Sequence, residues 1–351
     1  MPSALYVGLQ DADKIAVFWI DDAGRLAKQS EVPAAGGPSV MAVGEGGQVL
    51  YVGQRGGPAL TTFRIDPKTG GLSVAGTAAQ PHAPTFLAPD RTGRFMLVAY
   101  YQGGGAAVFR LTGDGTVGEA SQEWLATATG AHAIATDRSN RFAYVPHIAR
   151  VQDNVLEPPK NIPGPNTIMQ FRFDAATGRL SANAPPQVAQ ADLVGPRHYC
   201  FHPSLDLVYF SNEQGCSVAS YRIDPDSGTL TPLQTISTLP AGFDARNTCS
   251  QIHLTPSGRF LYVGNRGHNS IVGFSVAPDT GQLTLVGHVA TERVPSAFCL
   301  DPEGKFLFAA GTASGRLAPY RIDGESGALT PLVAQDVGPR PAAVAAVRLA
   351  G

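Results

Sequence analysis

The sequence predicts an all-β fold: a seven-bladed β-propeller in which each blade is a four-stranded sheet. The first observation is a tripeptide, mostly with an aromatic centre, whose central residue recurs after 45, 46, 47, 65, 53 and 46 positions. A period in the mid-forties with short alternating strands is typical of propeller blades. The second is composition, since 40 Gly, 28 Pro and only 15% charged residues favour short strands joined by turns. The copies are Leu5-Tyr6-Val7, Leu50-Tyr51-Val52, Met96-Leu97-Val98, Ala143-Tyr144-Val145, Val208-Tyr209-Phe210, Leu261-Tyr262-Val263 and Leu307-Phe308-Ala309.

Each copy divides into four predicted strands, which we call A to D. Strand A is an apolar run that ends in a polar turn such as Asp137-Arg138-Ser139-Asn140-Arg141, and strand B carries the tripeptide. Strand C alternates aromatic, basic and aliphatic residues, as in Thr62-Phe63-Arg64-Ile65-Asp66, which is typical of a strand with one buried face. A tight turn such as Thr69-Gly70 leads to strand D, and its Gly can adopt the positive φ that a hairpin requires.

The chain ends predict how the ring closes. The N-terminus begins with a strand B, whereas the C-terminus ends with an unpartnered strand A from Pro341 to Val347. We therefore expect the last strand to complete the first blade, which leaves no long exposed edge. This gives a single domain, residues 1–351. Two connections are long, at 149–166 within the fourth unit and at 239–248 after the fifth, and both are predicted to cover the same face.

Charge and composition narrow the partners and the compartment. A formal net charge of −2 gives no reason to expect nucleic acid or a membrane surface as a partner, so an anionic ligand would need a local cationic cluster. The sequence has no signal-like segment and no apolar run of about 18 residues, so a cytoplasmic location is the default expectation. No cofactor is expected. The scattered spacing predicts mostly buried, reduced thiols for the cysteines, which are Cys200, Cys216, Cys249 and Cys299.

Charged and imidazole side chains concentrate on one predicted face. In a four-stranded meander, the start of strand A and the end of strand B emerge together, so equivalent positions form rings around the axis. The strand-B ring is Gln10, Arg55, Tyr101, Ile148, Glu213, Arg266 and Thr312, with His147 one position before Ile148. The strand-A ring is Ser39, Thr85, His132, Arg197, Ser250, Ser296 and Ala342. Such a cluster can bind an anion and activate water, because Arg donates to anionic oxygens and Glu or His can accept a proton.

Several segments resemble a known family. The segments that carry the resemblance are GPRHYCFHP, NEQG, SQIHLTPSGRFLYVGNRGHNSI and the repeated F-R-[IF]-D pattern. They look like the seven-bladed propeller lactonases, which include bacterial 6-phosphogluconolactonases and fungal 3-carboxy-cis,cis-muconate cyclases. The resemblance implies catalytic roles for a His, two Arg and a Glu, which correspond here to His147, Arg197, Arg266 and Glu213. It adds His132, His198, Gln251 and His268 as residues in family-typical motifs, and the ring alignment adds Arg55 as a substrate-binding candidate. The two long connections depart from the compact phosphogluconolactonase pattern.

Other polar residues have structural explanations. His202 occupies the turn after strand A where other units carry Asp or Thr, and His253 is also assigned to structure. The strand-C arginines recur in several units, which argues against catalysis; they are Arg64, Arg172, Arg222 and Arg321. No spacing indicates a metal site, and the absence of a GxSxG element disfavours a serine nucleophile.

The function expected from residues and resemblance together is hydrolysis of an anionic sugar lactone, foremost 6-phosphogluconolactone. Glu213 or a histidine would activate water, while Arg197 and Arg266 would stabilise anionic charge. One alternative is a cycloisomerase or hydrolase of muconate-type lactones, in which the arginines hold a dicarboxylate. A second is a non-catalytic propeller that binds a small molecule or a protein on the same face. The sequence gives no indication of the oligomeric state.

Overall fold

A computed structural model describes residues 3–148, 150–152, 155, 160–162 and 164–350, and its regular structure is nearly all β. The described residues include two short 3-10 helices, Gln10–Ala12 and Glu45–Gly47. The strands in chain order are β1 (Ser3–Leu9), β2 (Lys14–Ile20), β3 (Leu26–Pro33), β4 (Pro38–Val43), β5 (Val49–Gln54), β6 (Ala59–Ile65), β7 (Leu72–Ala79), β8 (Phe86–Pro89), β9 (Phe95–Tyr100), β10 (Gly105–Leu111), β11 (Val117–Ala126), β12 (Ala135–Thr136), β13 (Phe142–His147), β14 (Arg150–Gln152), β15 (Lys160–Ile162), β16 (Thr167–Asp174), β17 (Arg179–Ala189), β18 (Pro196–Phe201), β19 (Leu207–Asn212), β20 (Ser217–Ile223), β21 (Leu230–Ser237), β22 (Thr248–Leu254), β23 (Phe260–Arg266), β24 (Ser270–Val276), β25 (Leu283–Ala290), β26 (Pro295–Leu300), β27 (Phe306–Gly311), β28 (Arg316–Ile322), β29 (Leu329–Pro331), β30 (Gln335–Asp336) and β31 (Pro341–Arg348).

These strands form the predicted propeller. Within the described ranges there are seven antiparallel blades, ordered from strand A to strand D. In blade order they are β31-β1-β2-β3, β4-β5-β6-β7, β8-β9-β10-β11, β12-β13-β16-β17, β18-β19-β20-β21, β22-β23-β24-β25 and β26-β27-β28-β29, with β30 also paired to β28. Strand β31 pairs with β1 in the register that places Tyr6 opposite Ala345. The expected closure by the C-terminal strand is therefore confirmed.

The core consists of apolar clusters between neighbouring blades. The repeated tripeptide supplies much of it, because its tyrosines are fully or almost fully buried. Tyr144 shows their second contribution, since its hydroxyl donates to Gly228 O of the next blade at 2.8 Å. Equivalent tyrosine hydroxyls at Tyr6, Tyr51, Tyr209 and Tyr262 bond to glycine carbonyls of the following blade. The sequence repeat is therefore a repeated link between blades that also satisfies a buried hydroxyl.

The turns between strands A and B are held by side-chain acceptors. Asp137 Oδ1 accepts hydrogen bonds from the backbone N–H groups of Arg141 and Phe142, each at 2.9 Å. In blade 5 His202 stands at this position, and its Nδ1 accepts from the N–H of Leu205 at 2.9 Å. This turn thus uses an imidazole where others use a carboxylate.

The two long connections leave the face that carries the ends of the B strands. The connection at 239–248 joins β21 to β22. The prediction of an ordered covering loop at 149–166 falls partly outside the described residues; the part described includes the antiparallel pair β14 and β15. Among the residues described, no helix has the length and apolar character needed to span a bilayer.

Candidate active site

The hairpin of β18 and β19 brings Arg197 and Glu213 together although 16 positions separate them. Pro196 pairs with Asn212, and the N–H of Glu213 donates to Gly195 O at 2.7 Å, so the two strand ends are fixed side by side. The Arg197 Nε atom lies 2.7 Å from Glu213 Oε2. Blade 5 therefore presents an ion pair at the face where all the B strands end.

Arg266, the last residue of β23 in blade 6, makes a second ion pair with the same carboxylate. Its Nη2 lies 2.9 Å from Glu213 Oε1 and donates to Cys249 O, also at 2.9 Å. The N–H of Cys249 donates back to Glu213 O at 2.9 Å, which ties β22 to the end of β19. We call Arg197, Glu213 and Arg266 the ion triad.

The ion triad is shielded from solvent and carries excess positive charge. The Arg197, Arg266 and Glu213 side chains are 10%, 7% and 8% exposed. Burial lowers the pKa of Arg197 to about 10, with Arg266 acting in the same direction and Glu213 opposing it, so Arg197 remains protonated at neutral pH. Two cations against one carboxylate leave a net attraction for an anion.

Two neutral histidines stand beside the ion triad. The rings of His132 and His198 meet edge to face with centroids 4.9 Å apart, and Tyr101 packs on His132 at 5.6 Å. Burial lowers the pKa of both histidines well below the usual value, and the charge of Arg197 is the next cause. His132 Nδ1 and His198 Nε2 have no hydrogen-bond partner among the described residues, so each has an unused polar atom in a buried position.

Comparison with known proteins places this arrangement in a family. The model for "Lactonase, 7-bladed beta-propeller" matches residues 4–346. The chain belongs to this lactonase family. A 6-phosphogluconolactonase of Pectobacterium carotovorum subsp. carotovorum (strain PC1) is 34% identical over 99% of this chain and 100% of the relative. One from Serratia proteamaculans (strain 568) is 32% identical over 97% and 98% of the two chains. The periplasmic gluconolactonase of Pseudomonas aeruginosa shares the fold with a TM-score of 0.87, 24% identity and 99% of both chains covered.

This lactonase has a site residue that the sequence prediction left out of its candidates. Tyr101 is in the strand-B ring and buried, and burial raises its pKa, with the charge of Glu213 as the second cause and Arg197 opposing. The phenol therefore keeps its proton beside the ion triad. Its ring position, shared with Glu213 and Arg266, was the signal that could have identified it.

His147 lies in a different environment from the ion triad. It is fully buried, with Nδ1 3.0 Å from Val145 O and Nε2 2.9 Å from Thr127 Oγ1. Both ring nitrogens are thus used, Nδ1 as the donor and Nε2 as the acceptor. Burial lowers its pKa to about 4. These described contacts connect the end of β13 to the loop before β12 and include no member of the ion triad.

The remaining predicted residues divide between structure and the open face. Gln251 Oε1 accepts from Phe298 N at 2.9 Å and thereby joins the A strands of blades 6 and 7. His268 bonds through Nδ1 to Ser270 Oγ at 2.7 Å, and its ring packs on Phe243 of the 239–248 connection at 4.8 Å.

Arg55, in contrast, is exposed at the end of β5 on the same face as the ion triad. The described residues contain no group of three or more His, Cys, Asp or Glu side chains that could hold a metal ion.

Proposed function

We propose that this protein, acting as a single propeller domain over residues 1–351, hydrolyses the cyclic ester of 6-phosphogluconolactone. The observation that carries the proposal is the buried ion triad, in a chain that is 34% identical over 99% of its length to a curated 6-phosphogluconolactonase. Acyl transfer to water develops negative charge on the carbonyl oxygen, and two preorganised guanidinium groups offset that charge where water is largely excluded.

Glu213 takes the proton of the attacking water in this proposal. Each of its carboxylate oxygens contacts one guanidinium, and a carboxylate has about four lone-pair directions, so room remains for a water molecule. As the water oxygen bonds to the carbonyl carbon, its proton passes to Glu213. Arg197 Nη1, which has no hydrogen-bond partner among the described residues, then donates to the developing oxyanion.

Ring opening returns the same proton. The tetrahedral intermediate collapses, the bond between the carbonyl carbon and the ring oxygen breaks, and the ring oxygen takes the proton from Glu213. Tyr101 is a neutral donor beside the ion triad and can hydrogen-bond to the leaving oxygen. The neutral rings of His132 and His198 offer polar atoms to sugar hydroxyls. His147 acts in this proposal as a positioning residue for the neighbouring loop.

Glu213→Gln tests the role of the carboxylate. We expect kcat to fall by about 100- to 10,000-fold, the usual range for losing a general base. Hydrolysis is followed by acid release in a pH-stat, with the spontaneous rate of an enzyme-free blank subtracted. Glu31→Gln is the matched control, because Glu31 also lies between two cations, Lys14 at 2.8 Å and Lys28 at 2.7 Å, but on the outer strand β3.

Two results would contradict the proposal. A folded wild-type protein that hydrolyses neither phosphorylated nor unphosphorylated aldonolactones is not this enzyme. A Glu213→Gln variant that melts like the wild type and keeps more than about a tenth of its kcat would remove Glu213 as the base. Tyr101→Phe, which preserves the packing against His132, gives a second measurement if the charge change impairs folding.

We also propose a cytoplasmic location for the enzyme. All the cysteines are free thiols in the structure, which fits a reducing compartment. Recovery of the native full-length protein in the periplasmic fraction of its own cells would contradict this assignment.

A further inference from the structure

Two arginines on the face that carries the ion triad have no ion-pair partner among the described residues. Neither Arg55 nor Arg340 forms an ion pair or a side-chain hydrogen bond with any described residue. Other arginines do form ion pairs: Arg197 and Arg266 share Glu213, and the half-buried Arg64 pairs with Asp114 at 2.9 Å. Two guanidinium groups without ion-pair partners on one face of a protein attract an anion.

The backbone places the two arginines on adjoining connections of blades 1 and 2. Arg55 directly follows β5, and its N–H donates to Gly37 O at 3.1 Å. Arg340 directly precedes β31, and its carbonyl accepts from the N–H of Gln10 at 3.1 Å. Gly37 packs against Gln10 so closely that an added Cβ would lie 3.2 Å from Gln10 Cγ. The two connections therefore form one continuous surface on the face that carries the ion triad.

Arg340 also lines an open cavity of about 440 Å³, whose lining includes neither Arg55 nor a member of the ion triad. Asp11, Thr312 and Asp336 are also among its lining residues. Asp336 forms an ion pair with Arg316 at 3.3 Å, and Arg316 also pairs with Glu292 at 3.2 Å.

Electrostatic coupling connects Arg55 to Arg340 and to His132, which stands beside the ion triad. Burial lowers the pKa of Arg55, and the charge of Arg340 is the second cause, so the two guanidinium groups feel each other. Arg55 is nonetheless accessible to solvent, so an anion can reach it. Arg55 also contributes, with Arg197 and Arg266, to the lowered pKa of His132. Around the ring, blades 1 to 6 thus present Arg340, Arg55, Tyr101, His132, the Arg197–Glu213 pair and Arg266 in succession.

We propose that Arg55 and Arg340 bind the phosphate group of the substrate while the ion triad engages the lactone ring. This inference rests on the proposed function and adds a determinant of specificity to it: the pair selects phosphorylated over unphosphorylated sugar lactones. Two guanidinium groups can each donate two hydrogen bonds to a phosphate dianion, and the anion removes the repulsion between them.

The test compares two lactones and two acids in matched pairs. For Arg55→Ala and Arg340→Ala we expect kcat/KM for 6-phosphogluconolactone to fall about 10- to 100-fold, mainly through KM, because each loses hydrogen bonds to a charged group. Hydrolysis of glucono-δ-lactone should change less than about twofold. Arg55→Lys should recover part of the loss, since a cation without the fork geometry remains. Arg64→Ala, at the opposite face, is the control and should affect neither substrate.

A binding measurement keeps this inference separate from the hydrolytic proposal. Calorimetric titration should show that wild type binds 6-phosphogluconate more tightly than gluconate, and that Arg55→Ala and Arg340→Ala abolish the difference. If wild type hydrolyses no lactone, this preference still tests the phosphate site. Equal losses for both lactones, or unchanged affinity for 6-phosphogluconate in folded variants, would overturn the assignment while leaving lactone hydrolysis intact.

Discussion

Acid should destabilise this protein, and a His147 variant isolates the share of the effect that this side chain contributes. Burial lowers the pKa of His147 from 6.5 to about 4. Between these values the unfolded chain binds a proton at this residue and the folded protein does not, so stability is lost as pH falls through that window. One pKa unit corresponds to about 1.4 kcal/mol, so His147 alone removes roughly 3 kcal/mol between pH 6.5 and pH 4.

The assay is urea unfolding at several pH values between 7.5 and 4.5. His147→Gln keeps a neutral polar side chain but cannot be protonated. At pH 7.5 it should be less stable than wild type by about 1 to 3 kcal/mol, because the bonds to Val145 O and Thr127 Oγ1 are disturbed. Below pH 6 this deficit should shrink by about 1.4 kcal/mol per pH unit. His82→Gln, at an exposed position, should parallel the wild type. Parallel curves for His147→Gln and wild type would refute the reasoning.

Three further outcomes follow from the packing, the thiols and the ring closure. Gly228→Ala should lower the unfolding free energy by more than about 2 kcal/mol, because Gly228 has φ 72° and the new Cβ would lie 2.1 Å from Phe142 Cδ1. Gly57→Ala, with no neighbour within 4 Å, should change stability little, and equal melting of the two variants would contradict this. In a peptide-mapping experiment at pH 7.5, Cys216 should be the first cysteine that iodoacetamide alkylates. A hydrogen bond from the Cys249 thiol, with Asn247 and Arg266, lowers the pKa of Cys216 to about 7. Faster modification of another cysteine would argue against this prediction. Deleting residues 341–351 should abolish cooperative thermal unfolding in calorimetry, because blade 1 loses β31, and a native-like transition would show that closure is dispensable.

The repeat could be predicted from sequence because its determinants are local. Alternating apolar residues, glycine turns and the tyrosine-centred strand are each visible within a few positions. The interblade bond from Tyr144 to Gly228 joins residues 84 positions apart, yet both are repeat positions, so counting units was enough to align them. The closure of the ring could be predicted in the same way, because the unpaired strand at the C-terminus can complete the blade that begins at the N-terminus.

Side-chain direction limited the prediction of the site. Arg197, Glu213 and Arg266 occupy ring positions, and the structure joins them by ion pairs. Their catalytic roles stay a prediction. His147 lies one position before the ring residue Ile148, and neighbouring strand residues face opposite sides, so its ring enters the blade and bonds to Thr127.

Arg340 is absent from both aligned rings because it stands two residues before Ala342, in a turn with φ 48°. Its proximity to Arg55 depends on the connection between the last and first blades, which no local pattern specifies.

Net charge is a poor guide to the ligand of this molecule. The chain carries a formal charge of −2, but its acidic residues lie mainly in exposed turns, where Asp66 and Asp224 accept backbone hydrogen bonds at the C-to-D hairpins. Arg55, Arg340 and the ion triad instead place positive charge on one face, and within the buried ion triad screening by solvent is weak. An anion therefore meets an attractive potential at this face although the protein as a whole is negative, which makes the local arrangement, and not composition, the determinant of what it binds.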